Sequence, residues 1–206
     1  ALTASAANYG CPMLWVDGIT PDAPLVDEFQ GNLNFTDEDL RGRYRELSPK
    51  GKVDLVVIGC PQASVGEARE TAAAVRAKME LGEAIPNHRL WLFMSSHNYD
   101  LISLDGTLDI LEEAGALVLR DTCPEVTPYN RSKYNHLLTN SLKAEHYLTS
   151  GLNRIPTSVA PIMECVSHAF DDSLIDAPRP ELVGQQAPAM HTAKTHQDSP
   201  FSTTGK

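Results

Sequence analysis

The chain has 206 residues, room for one ordinary domain or one and a half. With 42% hydrophobic and 21% charged residues it can bury a core, which excludes wholesale disorder. Its 17 basic and 27 acidic side chains give a net charge of −10, which argues against nucleic acid or an anionic membrane as the main partner.

No apolar run approaches the roughly 20 residues that cross a bilayer. The opening seven residues lack the basic and apolar regions of a signal peptide and read as the continuation of something longer. Residues 1–50 are therefore expected to dock on, or join, a neighbouring domain. Within them, residues 13–16 (Met-Leu-Trp-Val) read as a strand ending at Asp17-Gly18, and Thr36 before Asp37-Glu38-Asp39 reads as a helix N-terminus.

Residues 53–58 form a β-branched, almost wholly apolar run, the pattern of a strand buried on both faces, and it stops at Gly59-Cys60-Pro61. Ser64 and Glu67 then form a capping box that opens an alanine-rich helix to about Leu81, with Gly82 as its stop. Residues 90–94 read as a second strand followed by a Ser95-Ser96-His97-Asn98 loop. A helix over 104–114 stops at Gly115, and residues 116–119 make a third strand that leads into Arg120-Asp121-Thr122-Cys123-Pro124.

Asn140 or Ser141 can cap a further helix, and Pro161 opens another in which Ile162, Cys165, Val166 and Ala169 recur at helical spacing. From about residue 176 the chain carries Pro178, Pro180, Pro188 and Pro200 among polar residues without periodicity. Residues 51–175 are thus expected to form one domain and 176–206 a disordered tail or linker. Strands alternating with helices of this length imply parallel pairing and right-handed crossovers. The class is α/β, a three-layer sandwich with a mainly parallel sheet.

Ligands in such a sheet bind beyond the carboxyl ends of its strands. Cys60 and Cys123 both lie there, each just before a proline that stiffens its loop. Two thiolates on one rim suit a soft or borderline metal such as iron or zinc. The same cysteines also read as small buried hydrophobes, and two are too few for a closed site. Cys11 falls at the opposite edge and Cys165 reads as core. Four cysteines without a CxxC pair point to a reducing, cytoplasmic-type compartment.

Asn140, Ser141 and Lys143 offer helix N–H groups and an ammonium to a carboxylate or phosphate; the bland alternative is a capped helix with a solvated lysine. Neither GxGxxG nor GxxxxGK[ST] occurs. Among scattered histidines, His97 lies on the same rim as the two cysteines.

Residues 18–24 (Gly-Ile-Thr-Pro-Asp-Ala-Pro), 53–61 (Val-Asp-Leu-Val-Val-Ile-Gly-Cys-Pro), 120–124 (Arg-Asp-Thr-Cys-Pro) and 139–143 (Thr-Asn-Ser-Leu-Lys) resemble, in order, stretches of the aconitase X family. The resemblance runs from about residue 5 to 170 and corresponds to the C-terminal part of the large subunit or large domain. It implies an aconitase-like domain and part of an iron-dependent hydro-lyase, a dehydratase acting on a small hydroxy acid. The favoured substrate is cis-3-hydroxy-L-proline. Mevalonate 5-phosphate is the alternative, as is a non-catalytic structural role in such a complex.

Iron, as a mononuclear ion or an iron–sulfur cluster, is implied with Cys60 and Cys123 as ligands. A third cysteine is expected from the remaining large-domain segment, and a catalytic serine from a small swivelling domain or subunit. Asn140, Ser141 and Lys143 would meet the small anionic substrate. Gln62 stands where the family often has a histidine after Gly-Cys-Pro, so that residue's role does not carry over.

Overall fold

The computed structural model describes residues 33–170 and, before them, residues 6–7, 10–11, 13–16 and 18–21. Among these, five parallel strands form one sheet: β1 (Leu55–Ile58), β2 (Leu90–Met94), β3 (Leu117–Arg120), β4 (Leu137–Thr139) and β5 (Thr157–Val159). Their spatial order is β3-β2-β1-β4-β5. Register runs through Val57, which sits beside Trp91 of β2 on one side and Thr139 of β4 on the other.

Period-two alternation assigns the side chains to two cores. Val56 and Ile58 join Leu90, Leu92 and Met94 on one face, while Leu55 and Val57 join Phe93 and Leu137 on the other. The first face is covered by α2 (Val65–Met79), α3 (Ser96–Leu104), α4 (Thr107–Glu113) and α6 (Ile162–Ala169). The second is covered by α5 (Leu142–Ser150) and by Tyr129 and Tyr134 of the long loop between β3 and β4. Tyr129 stacks on Trp91 with ring centroids 5.8 Å apart, which closes that loop against the sheet. The three-layer α/β class expected from the sequence is the one observed.

Local signals explain most boundaries. Ser64 and Glu67 make a reciprocal capping box at α2, whose Ala68, Thr71, Ala72 and Val75 recur on the buried face. Thr36 and Asp39 do the same for α1 (Asp37–Leu47), which carries no buried residue and lies beside β5. The stretch 96–114 departs from the single helix expected over 104–114. Ser95 caps a helix that starts directly after β2, and Gly106 at φ +78° divides it from α4. Residues 13–16 form no strand: Met13 and Trp15 are exposed and nothing among the described residues pairs with them. The expected tail over 176–206 lies outside the described residues.

Candidate metal and substrate site

Strand order places the site. β1 leads through α2 to β2 on one side, whereas β4 lies on the other side of β1. The carboxyl ends of β1 and β4 therefore bound the point where the winding reverses. Cys60 follows β1 there, and Asn140, Ser141 and Lys143 follow β4.

Gly59 makes the turn at φ +112°, with its Cα so close to β2 that a Cβ would stand 2.1 Å from the Phe93 carbonyl oxygen. That same oxygen accepts the Ala63 N–H at 2.7 Å, so the Cys60 loop is folded back on β2. Cys60 is buried, Cys123 is half-buried, and the Cys60–Pro61 peptide bond is cis. Gln62 Nε2 donates to the Thr122 carbonyl at 3.1 Å, joining the two cysteine loops directly. Asp121, at φ +54°, accepts from the Ser96 N–H at 2.8 Å and from the Ser96 hydroxyl. This anchors the start of the Cys123 loop to the N-terminus of α3.

Burial pushes the Cys60 thiol above its ordinary range, and the neighbouring Cys123 and Glu125 push it the same way. The Lys143 ammonium opposes that shift. Burial also raises Tyr129, with Cys123, Glu125 and Cys60 adding to it, so it stays a neutral phenol. Its hydroxyl, Glu125 Oε2, Trp91 Nε1 and Asn140 Oδ1 are buried without a hydrogen-bond partner. Asn140 Nδ2 reaches Glu67 Oε1 only at 3.5 Å. Glu125 itself is placed by Leu152, whose N–H donates to Oε1 at 3.3 Å, and by Asn153, whose side chain donates to its carbonyl at 2.7 Å.

The structure thus brings Cys60, Cys123, Asn140, Ser141 and Lys143 to one edge. Ser141 is the N-cap of α5. His97 is exposed in the first turn of α3. Cys165 is core, with its thiol pushed up to about 12 by burial. Glu125 and Tyr129 escaped the sequence reading; the usable signal was a carboxylate two positions past Cys123 and a tyrosine in an otherwise polar loop.

Two thiols joined across adjacent loops fit part of a metal's ligand set. Among the described residues no three of His, Cys, Asp and Glu converge to complete it. Two thiols by themselves are too few to close a metal site, which usually takes four protein ligands. No described helix is long and apolar enough to cross a membrane.

These features define a doubly wound, parallel α/β domain with a thiol pair and a lysine at its switch point. The family model described as "Aconitase X third domain" matches residues 53–171, and the chain belongs to the aconitase X family. It is 32% identical over 152 residues to the phosphomevalonate dehydratase large subunit of Methanothermobacter thermautotrophicus, covering 72% of this chain and 37% of that protein. It is 29% identical over 151 residues to the protein of that name from Methanocaldococcus jannaschii, with 71% and 36% coverage.

The cis-3-hydroxy-L-proline dehydratase of Hypocrea jecorina is 25% identical over 183 residues, 82% of this chain and 29% of that one. Among solved structures, Thermococcus kodakaraensis aconitase X in its holo-form superposes with a TM-score of 0.58 at 22% identity, over 74% of this chain and 36% of that one, and so supports the fold. The chain spans little more than a third of the archaeal relatives it matches.

Proposed function

We propose that this chain is the thiol-bearing third domain of a larger hydro-lyase, and that Cys60 and Cys123 hold iron together with ligands from the rest of the assembly. The observation that carries the reading is that Cys60 has both Cys123 and Lys143 as electrostatic neighbours beyond the paired strands β1 and β4, where the winding reverses. When bound, iron supplies Lewis-acid chemistry to the departing hydroxyl group.

This chain's own residues hold and orient. Lys143, in the first turn of α5, offers its ammonium to the substrate's anionic group, assisted by N–H groups of that turn. Asn140 offers its unpaired Oδ1 as an acceptor for a substrate hydroxyl or amine. Gly59 and the Gln62–Thr122 bond keep the thiols on adjacent loops. The base that removes the proton comes from another part of the assembly.

The substrate we propose is mevalonate 5-phosphate, supported by the archaeal relatives named for that dehydration. The sequence reading favoured cis-3-hydroxy-L-proline. That substrate remains the second reading, because the Hypocrea jecorina dehydratase aligns over 183 residues, 82% of this chain. Residues 1–50 are proposed to dock on the preceding part of the large subunit, supported by Leu33, Phe35, Leu40 and Tyr44, which stand exposed on and before α1. The domain expected over 51–175 is supported by the family match over residues 53–171, its last five residues lying outside the described ones, and the small subunit or domain is the second partner.

The test is the assembled protein, with this chain joined to its large-subunit remainder and small partner, prepared without oxygen. Iron and sulfide content and dehydration of each substrate are measured for wild type, Cys60→Ser and Cys123→Ser. Loss of iron and activity in both variants is expected. Full iron and full activity in either would overturn the ligand assignment, and turnover of neither substrate by an iron-loaded assembly would return the chain to a structural role.

A further inference from the structure

Ser141 belongs to the edge that binds substrate in the reading above, yet its hydroxyl is already engaged. It donates its one hydrogen to the Cys60 carbonyl and accepts the Ala144 N–H at 3.2 Å, while the Ser141 N–H donates to Thr139 Oγ1 at 3.3 Å. A serine hydroxyl has a single donor, and an anion is bound by donors. With that hydrogen given to Cys60, Ser141 has none for a substrate carboxylate or phosphate.

We propose that Ser141 is a positioning residue that fixes the Cys60 loop to the first turn of α5, so that the metal-binding thiol and the anion-binding Lys143 are held at one separation. The proposal rests on the reading of Cys60 and Cys123 as a ligand pair. Ser141 lies 81 positions from Cys60 in sequence, and this bond joins the segments that follow β1 and β4, beyond the last paired residues Val57 and Thr139. On the other side of Cys60, the Gln62–Thr122 bond reaches the Cys123 loop. The Cys60 loop is therefore tethered to both neighbours, but the Gln62 tether is exposed to water whereas the Ser141 tether is part-buried. A hydrogen bond sheltered from solvent competes with water less and holds its partners more firmly.

Capping and tethering can be separated by the choice of substitution. Glycine is a tolerated N-cap, weaker than serine by only a few tenths of a kcal/mol, and it has no side-chain donor. Asparagine and threonine can both cap and donate. The 206-residue chain, reduced and kept from oxygen, is titrated with Cd²⁺, a soft probe of paired thiolates, and binding is read from the sulfur-to-cadmium charge-transfer absorption. Thermal midpoints are recorded alongside.

Wild type is expected to bind one Cd²⁺ through a band that Cys60→Ser and Cys123→Ser abolish. Ser141→Gly is expected to weaken that binding by about tenfold, the scale of one sheltered hydrogen bond, with the thermal midpoint lowered by only a few degrees. Ser141→Asn and Ser141→Thr are expected to restore affinity to within roughly twofold. Wild-type affinity in Ser141→Gly, or no recovery in Ser141→Asn and Ser141→Thr, would overturn the positioning role alone. Absence of the band in wild type would overturn the ligand-pair reading, and the proposal with it.

Discussion

Replacing Gly59 by alanine tests whether the geometry behind Cys60 is obligatory. The new Cβ would sit 2.1 Å from the Phe93 carbonyl oxygen, 3.0 Å from its carbon and 3.1 Å from the Ala63 nitrogen, all backbone atoms of a buried strand and its neighbouring turn. It would also hold an L-residue at φ +112°. The backbone conformation alone costs about 1–3 kcal/mol. Moving the Phe93 carbonyl far enough to admit the Cβ breaks its bond from the Ala63 N–H, and a buried acceptor left unpaired costs about 1–3 kcal/mol more.

A total of about 2–6 kcal/mol is a large part of the ~5–15 kcal/mol that holds a domain together, and at ~2–4 °C per kcal/mol it lowers the melting temperature by roughly 4–24 °C. The assay is a thermal melt followed by circular dichroism, with timed alkylation of Cys60 to report local opening. Gly66→Ala is the control. Gly66 lies in the first turn of α2, where a new Cβ meets only Ser64 Oγ at 3.7 Å, so the change is expected to be neutral or stabilising by up to about 1 kcal/mol. A Gly59→Ala protein that melts with wild type and keeps Cys60 protected would refute the reasoning.

The Cys165 thiol, raised from 9.0 to about 12 by burial, keeps its proton in the folded chain after the unfolded chain has begun to lose it. Stability is therefore full below about pH 9 and falls as pH rises toward 12, and Cys165→Ala should flatten that alkaline loss in urea midpoints measured across the range. His136 spans three strand entries, with Nδ1 2.7 Å from the Lys52 carbonyl and Nε2 2.8 Å from Ser158 Oγ; His136→Ala should cost about 1–3 kcal/mol in urea denaturation. Lys143→Gln removes the ammonium that counteracts the upward shift of Cys60, so Cys60 should alkylate more slowly at pH 8 than in wild type; an unchanged rate would place Lys143 away from the thiol. In the assembled enzyme the same substitution should raise KM about tenfold or more, the scale of a lost charged hydrogen bond, while kcat changes less.

Which parts of this architecture could be read from residue order follows from how local their causes are. The capping boxes at Thr36 and Ser64 need only three residues of context, and both are present. β1 and β2 are apolar runs long enough to show themselves. β4 and β5 have three residues each, too short for a period to appear, and they are strands because β1 offers an edge to Leu137–Thr139, which in turn offers one to Thr157–Val159. Residues 13–16 carry the composition of a strand but have no such edge beside them among the described residues. The two-helix form of 96–114 turns on the Ser95 cap and on Gly106, while the Asp121 carboxylate that adds to the first helix's start lies 25 residues beyond Ser96.

The site divides in the same way. Cys60 and Cys123 were visible because a strand end followed by cysteine and proline is a local pattern. That Cys60 lies near both Cys123 and Lys143 depends on β4 lying against β1, and the bonds that join their loops, Ser141 to Cys60 and Gln62 to Thr122, span 81 and 60 positions. A cysteine loop with one tether could be read from its own sequence. A loop tethered on both sides exists only once the strand order reverses at that point, and the reversal sets the Cys60 thiol near the Lys143 ammonium on the loop and helix that follow a neighbouring strand.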